Sequence, residues 1–118
     1  MEIEILGAHN AETKKTRLVS LLIDGFMALE AASITSRLSL RRQRKIKIIL
    51  LTHHHFDHVR DLVTLGLNAA LWSPVSIWAL KETYEMVNRC LLDGKMYIDY
   101  SRFPSKEKPV LQFHFIEP

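Results

Sequence analysis

Cysteine is nearly absent: Cys90 is the only one in 118 residues, so no intramolecular disulfide can staple the chain. Six histidines without paired cysteines suit a reducing interior, and a cytoplasmic location is expected. No apolar run approaches the ~20 residues that a membrane helix needs, so no span is expected. The start, Met1-Glu2-Ile3-Glu4, carries acids where a secretory signal would carry Lys or Arg. A strong excess of one charge is missing too. Sixteen Lys and Arg against 13 Asp and Glu leave a net charge of +3, which does not demand nucleic acid as a partner yet suits an anionic substrate. Repeats, low-complexity tracts and linkers are also missing, so one domain over residues 1–118 is the economical reading. What is present is the composition of an ordinary globular protein, 47% hydrophobic and 25% charged, long enough to bury a core.

Short apolar runs alternate with helical patterns, which predicts an α/β protein in which helices cover strands. Ile3 to Leu6 reads as a first strand. Leu18 to Ile23 and Phe26 to Glu30 flank Asp24-Gly25, a pair that readily takes the positive φ angles of a hairpin turn. Ser33 to Lys45 predicts a helix with Ile34, Leu38 and Leu40 inward and its arginines wet. Ile46 to Leu51 has the continuous apolar character of a strand buried on both faces. A helix over Asp57 to Leu71, with Leu62, Leu65 and Ala69 on one stripe, precedes a strand at Val75 to Trp78. Lys81 to Leu92 predicts another helix, stopped by Asp93-Gly94. Tyr97 to Lys108 reads as an extended surface loop, and Val110 to Ile116 alternates like a strand with one covered face.

Chemistry concentrates directly after the strand at 46–51. His53, His55, Asp57 and His58 place three imidazoles and a carboxylate within six positions. In an extended segment His53 and His55 leave the same side of the backbone and can grip one ion, while His54 points away. Asp57 and His58 follow Phe56, where the chain turns into a helix, and approach from a different direction. Two such pairs suit two neighbouring ions, and nitrogen and oxygen ligands without a thiolate favour Zn²⁺, with Mn²⁺ or Fe as substitutes. A pair of ions roughly 3.5–4 Å apart can share a water, lower its pKa to about 7 and hold both oxygens of a displacement. Catalysis is expected to depend on Asp57 above all.

The string His53-x-His55-x-Asp57-His58, with its preceding apolar strand and Thr52, resembles the signature of the metallo-β-lactamase fold superfamily. That resemblance implies one metal on His53 and His55 and a second on Asp57 and His58. Residues 33–39, 51–68 and 78–83 are similar to the bacterial branch related to class II 3′,5′-cyclic-nucleotide phosphodiesterases, which implies a small phosphodiester as substrate. Relatives commonly show Asp-Ala-Gly where this chain has Glu30-Ala31-Ala32, a longer acid and one glycine fewer, and weaker activity is expected from that. The family fold is an αββα sandwich of two similar halves, and the resemblance covers only the first. The second half supplies further histidines and a bridging aspartate, whereas His114 is the only histidine here after His58 and lacks their flanking pattern. One of three situations is therefore expected: a truncated chain, a homodimer whose second copy covers the otherwise open sheet face, or a separate complementing segment.

Other residues receive plainer readings. The run Arg41-Arg42-Gln43-Arg44-Lys45 suggests RNA, but no aromatic interleaves with it, and cations at a helix C-terminus complement its dipole. His9 is a surface histidine or a substrate contact. Trp72 and Trp78 are expected to pack in or beside the core, and Cys90 to act as a small buried hydrophobe. Asp61 either orients His58 or serves as a first-turn acid. A metal-dependent hydrolase, an RNA-processing protein and a non-catalytic half-domain for assembly remain the three readings.

Overall fold

Strand order in the sheet follows chain order, β1-β2-β3-β4-β5-β6, and the direction of pairing changes once. The computed structural model describes residues 1–117. β1 (Ile3–Gly7), β2 (Ser20–Ile23) and β3 (Met27–Leu29) form an antiparallel meander. Asp24 and Gly25 make its tight turn at φ 50° and 77°, as the pair predicts. From β3 onward every neighbour is parallel, so each connection crosses over through helix: α1 (Ile34–Arg37) and α2 (Leu40–Gln43) lead to β4 (Ile48–Leu50). Then α3 (Phe56–Val59) and α4 (Leu62–Ala69) lead to β5 (Val75–Ala79). Finally α5 (Lys81–Cys90) and the loop after it lead to β6 (Leu111–Phe115). This is a mixed α/β half-sandwich, as the pattern of strands and helices predicts.

Two of the expected helices are broken, and side chains account for both breaks. Between α1 and α2 Leu38 turns extended, and Ser39 restarts the helix by accepting from Arg42 N at 3.3 Å. Buried Gln43 occupies the gap, donating to Leu38 O at 2.9 Å and accepting from Asn68 Nδ2 at 2.9 Å. Leu40 lies beyond the break and is 54% exposed, not inward. Between α3 and α4 the carboxylate of Asp61 turns away to accept from Thr35 N at 2.7 Å and from the Thr35 hydroxyl. Asp61 therefore does not orient His58.

One face of the sheet is filled and the other is open. Leu22, Ala28, Ile49 and Ile77 form one cross-strand row, each at most 2% exposed, and join Ile34, Leu62, Leu65, Ala69 and Val87 of the helices in the core. The alternate rows, Ile3-Ile23-Met27-Ile48-Ser76-Gln112 and Ile5-Leu21-Leu29-Leu50-Trp78-His114, face the other way and are exposed or half-buried throughout. The strand at 46–51 is thus covered on one side only, because among the described residues no layer lies over Ile48 and Leu50. Trp78 stands on this open face with its ring stacked on His114 at 4.6 Å, rather than in the core. Cys90 is exposed at the end of α5, so it is not the buried hydrophobe that its neighbours suggest.

The loop at 97–108 is irregular, yet it carries an anchor. Tyr100 is 1% exposed and lies against Gly66 of α4, where an added Cβ would meet its ring carbons at 2.6 and 2.8 Å and its Cβ at 2.9 Å. Gly66→Ala should therefore force the ring or the helix to shift and cost roughly 1–3 kcal/mol of stability. Urea unfolding checks this; an unchanged midpoint would show that Tyr100 is not seated there.

Candidate metal centre

All four parallel strands end at one edge of the sheet, and the loops leaving β3 and β4 meet there. The backbone of Glu30 follows β3 and hydrogen-bonds to β4 through Glu30 N and Leu50 O at 2.9 Å. To turn out of the strand, Glu30 takes φ 66°, a left-handed conformation that costs an L-residue roughly 1–2 kcal/mol. Buried hydroxyls hold the turn in place. Ser20 Oγ donates to Glu30 O and accepts from Ala32 N and Ser33 N, all within 3.0 Å, while Ser33 Oγ donates to Leu18 O at 2.7 Å. The same loop is stitched to α3 by Ala31 N to His58 O at 2.8 Å and by Asp61 N to Ala31 O at 2.9 Å.

The Glu30 carboxylate is consequently fixed, 2% exposed, directly behind the histidines. It accepts from Thr52 N at 2.7 Å, from the Thr52 hydroxyl at 2.9 Å and from His58 Nδ1. These contacts determine tautomers. Thr52 has a single hydroxyl proton and gives it to Glu30, so the 2.8 Å contact between Thr52 Oγ1 and His53 Nδ1 must be a donation from the ring. His58 Nδ1 faces a carboxylate and must likewise carry a proton. With Nδ1 the donor, the neutral form of either ring presents its lone pair at Nε2, the atom a metal would take.

The His53 ring lies 4.6 Å from that of His55 and 4.2 Å from that of His58, and His58 Nε2 lies 3.5 Å from Asp57 Oδ2. Two donors on one tetrahedral ion with bonds of 2.0–2.2 Å lie about 3.4 Å apart, so the Asp57 and His58 atoms already stand at a ligand pair's separation. The structure thus brings His53 and His58 together in front of Glu30, with His55 beside His53 and Asp57 beside His58, but His55 and Asp57 complete no three-ligand set within 4.8 Å among the described residues. His54 is exposed beside His55, and His9 accepts from Arg17 N at 3.3 Å on an exposed loop. Glu30, His53 and His58 also place ligand-type atoms within 4.8 Å of one another. Glu30 meets His58 at Nδ1 and reaches His53 Nδ1 through Thr52, so it stands behind both rings.

A family model described as metallo-beta-lactamase superfamily matches residues 19–105, which include the hairpin, Glu30 and the whole histidine cluster. The chain belongs to the metallo-beta-lactamase superfamily. Among solved structures, this superfamily member is similar to unliganded yeast PDE1, with a TM-score of 0.77 at 15% identity over 98% of this chain and 50% of that one. It is also similar to Zn(2+)-bound PqqB from Methylobacterium extorquens, with a TM-score of 0.64 at 19% identity over 99% and 50% of the two chains. For the short form of human tRNase Z the TM-score is 0.60 at 18% identity, over 99% and 45%. The chain spans about half the length of these structures. No curated protein matches it by sequence.

The residue whose role the sequence leaves unassigned is Glu30. Its place in the superfamily triplet marks it as an acid near the site, but nothing in the sequence shows that its side chain binds both Thr52 and His58. At the margin, Arg60 donates to Ala32 O at 3.1 Å and pairs with Glu12, fastening the 8–17 loop over the Glu30 turn. The Arg60 hydrogen bonds hold the exposed Glu12 carboxyl below its ordinary range.

Glu30→Gln preserves length but removes the charge and one acceptor. It should weaken Zn²⁺ binding about 10- to 100-fold, the usual cost of losing a partner that orients a ligating histidine. Competition against a chromophoric chelator measures this. Equal affinity in the two proteins would show that Glu30 does not position the rings.

Proposed function

We propose that this chain is the ligand-bearing half of a binuclear metal hydrolase whose substrate is a phosphodiester of the cyclic-nucleotide kind. The observation that carries the reading is the prearranged cluster: four ligand-type side chains at one sheet edge, two of them with Nδ1 held by Thr52 or Glu30 so that the neutral ring presents Nε2. His53 and His55 would hold one ion and Asp57 and His58 the other, with Zn²⁺ favoured by the donor set and Mn²⁺ or Fe able to replace it. Ions held there supply the charge that activates water and neutralises a departing oxygen. The remaining work falls to the chain itself. Thr52 and Glu30 keep the two rings from flipping, and the buried turn at 30–33 sets their distance from Asp57.

The comparisons support a phosphodiester because a phosphodiesterase by name and a tRNase are among the similar folds, although at these identities the likeness extends only to the fold. The open rows of apolar side chains support a second layer over the sheet, supplied by another copy of the chain or by a separate segment, which would bring the missing ligands. No helix among the described residues is long and apolar enough to cross a membrane.

Two measurements test the proposal. Elemental analysis after loading with Zn²⁺ or Mn²⁺ should find metal that is lost in His55→Ala and Asp57→Ala. Hydrolysis of bis(4-nitrophenyl) phosphate by the completed assembly should fall at least about a hundredfold in either variant, more than the loss of an outer partner produces. Metal retained at full stoichiometry by both variants would remove the site from contention, and full hydrolysis by Asp57→Ala would remove the mechanism.

Acid supplies a further check. Metal ligation and protonation compete for the same ring nitrogen, so affinity for the ion should decline in acid. Zinc titrations at graded pH reveal this, and pH-independent binding would assign the ion to carboxylates elsewhere.

A further inference from the structure

At the opposite edge of the sheet, where β4 and β5 begin, α2 and the end of α4 enclose a second feature. Leu40, Arg41, Arg44, Leu71 and Trp72 line a groove of about 400 Å³. Its two leucines are 54% and 75% exposed, an unusual position for large aliphatic side chains placed side by side. The groove is rigidly mounted. Lys47 Nζ donates to Arg44 O at 3.3 Å and to Ser73 Oγ at 3.1 Å, tying the end of α2 to the start of β5. The Arg44 guanidinium lies 5.6 Å from the centre of the Trp72 ring.

Charge distinguishes this groove from an ordinary apolar dent. Neither residues 31–56 nor residues 62–81, which together build it, contain a single Asp or Glu. Arg42 finds Glu4, but Arg41, Arg44 and Lys45 form no ion pair among the described residues. A rim of uncompensated cations around exposed leucines is complementary to acids flanking an apolar side chain.

We propose that this groove docks an acidic protein segment, with an apolar anchor between Leu40 and Leu71 and carboxylates on Arg41 and Arg44. Nucleic acid fits less well. The structure does bring an aromatic ring to the arginine run, which the sequence alone does not show, but Arg44 covers Trp72 and the exposed groups are aliphatic rather than stacking surfaces. The docking edge lies across the sheet from the histidines, so occupancy and metal binding are separate properties.

The test uses the full chain and fluorescence anisotropy with three labelled probes: a peptide of about a dozen residues with glutamates flanking a Leu-Phe pair, the same peptide with glutamine for glutamate, and a single-stranded oligouridylate of similar length. The acidic peptide should bind at least about tenfold more tightly than the other two, and more weakly as salt rises. Arg41→Gln with Arg44→Gln should remove at least about tenfold of that affinity, as should Leu71→Ser, while zinc binding at the far edge and the thermal midpoint stay at the parent's values. Tighter binding of the oligouridylate, or indifference of the acidic peptide to both variants, would overturn the proposal.

Discussion

A carboxylate buried behind the histidines governs the arrangement of this protein. Glu30 is taken out of water and held in a left-handed turn, and each of those conditions is unfavourable by itself. They persist because three donors converge on the side chain and because Ser20, Ser33 and Asp61 pin the surrounding backbone. The result is a polar knot beside the apolar core, joining the crossover after β3 to the crossover after β4. Loosening it would disturb more than one histidine, since the ring of His53 reaches the carboxylate through Thr52 and that of His58 reaches it directly.

The parallel strands give that knot its location. Because β3 and β4 run side by side in the same direction, the residues that leave their ends are neighbours in space although more than twenty positions apart in sequence. An antiparallel pairing would have sent Glu30 and His53 to opposite edges. The same topology places the basic groove at the other end of the sheet, so the chain carries two surfaces of unlike chemistry separated by the length of its strands.

Much of this is legible in the sequence, and the exceptions share a cause. The hairpin at Asp24-Gly25, the order of elements and the clustering of His53, His55, Asp57 and His58 follow from local rules: turn geometry, apolar period and residue spacing. Glu30 behind His58, the breaks plugged by Gln43 and Asp61, and Trp72 beneath Arg44 involve partners more than twenty residues away, except for the Gln43 contact to Leu38. Periodicity carries no information about such pairs. The apolar run at 46–51 misleads for a different reason, since it is hydrophobic on both sides although a layer covers only one. Its open side fits a sheet built to meet another.

The composition of that open side changes across the sheet. From β1 to β4 both rows are wholly isoleucine, leucine and methionine, whereas β5 and β6 contribute Ser76, Gln112 and His114, the last with a buried Nε2 that has no partner among the described residues. A covering layer turned end for end would press hydrocarbon onto those polar groups and leave the isoleucines wet. The sheet is in this sense a compass: any cover would meet hydrocarbon over β1 to β4 and polar groups over β5 and β6.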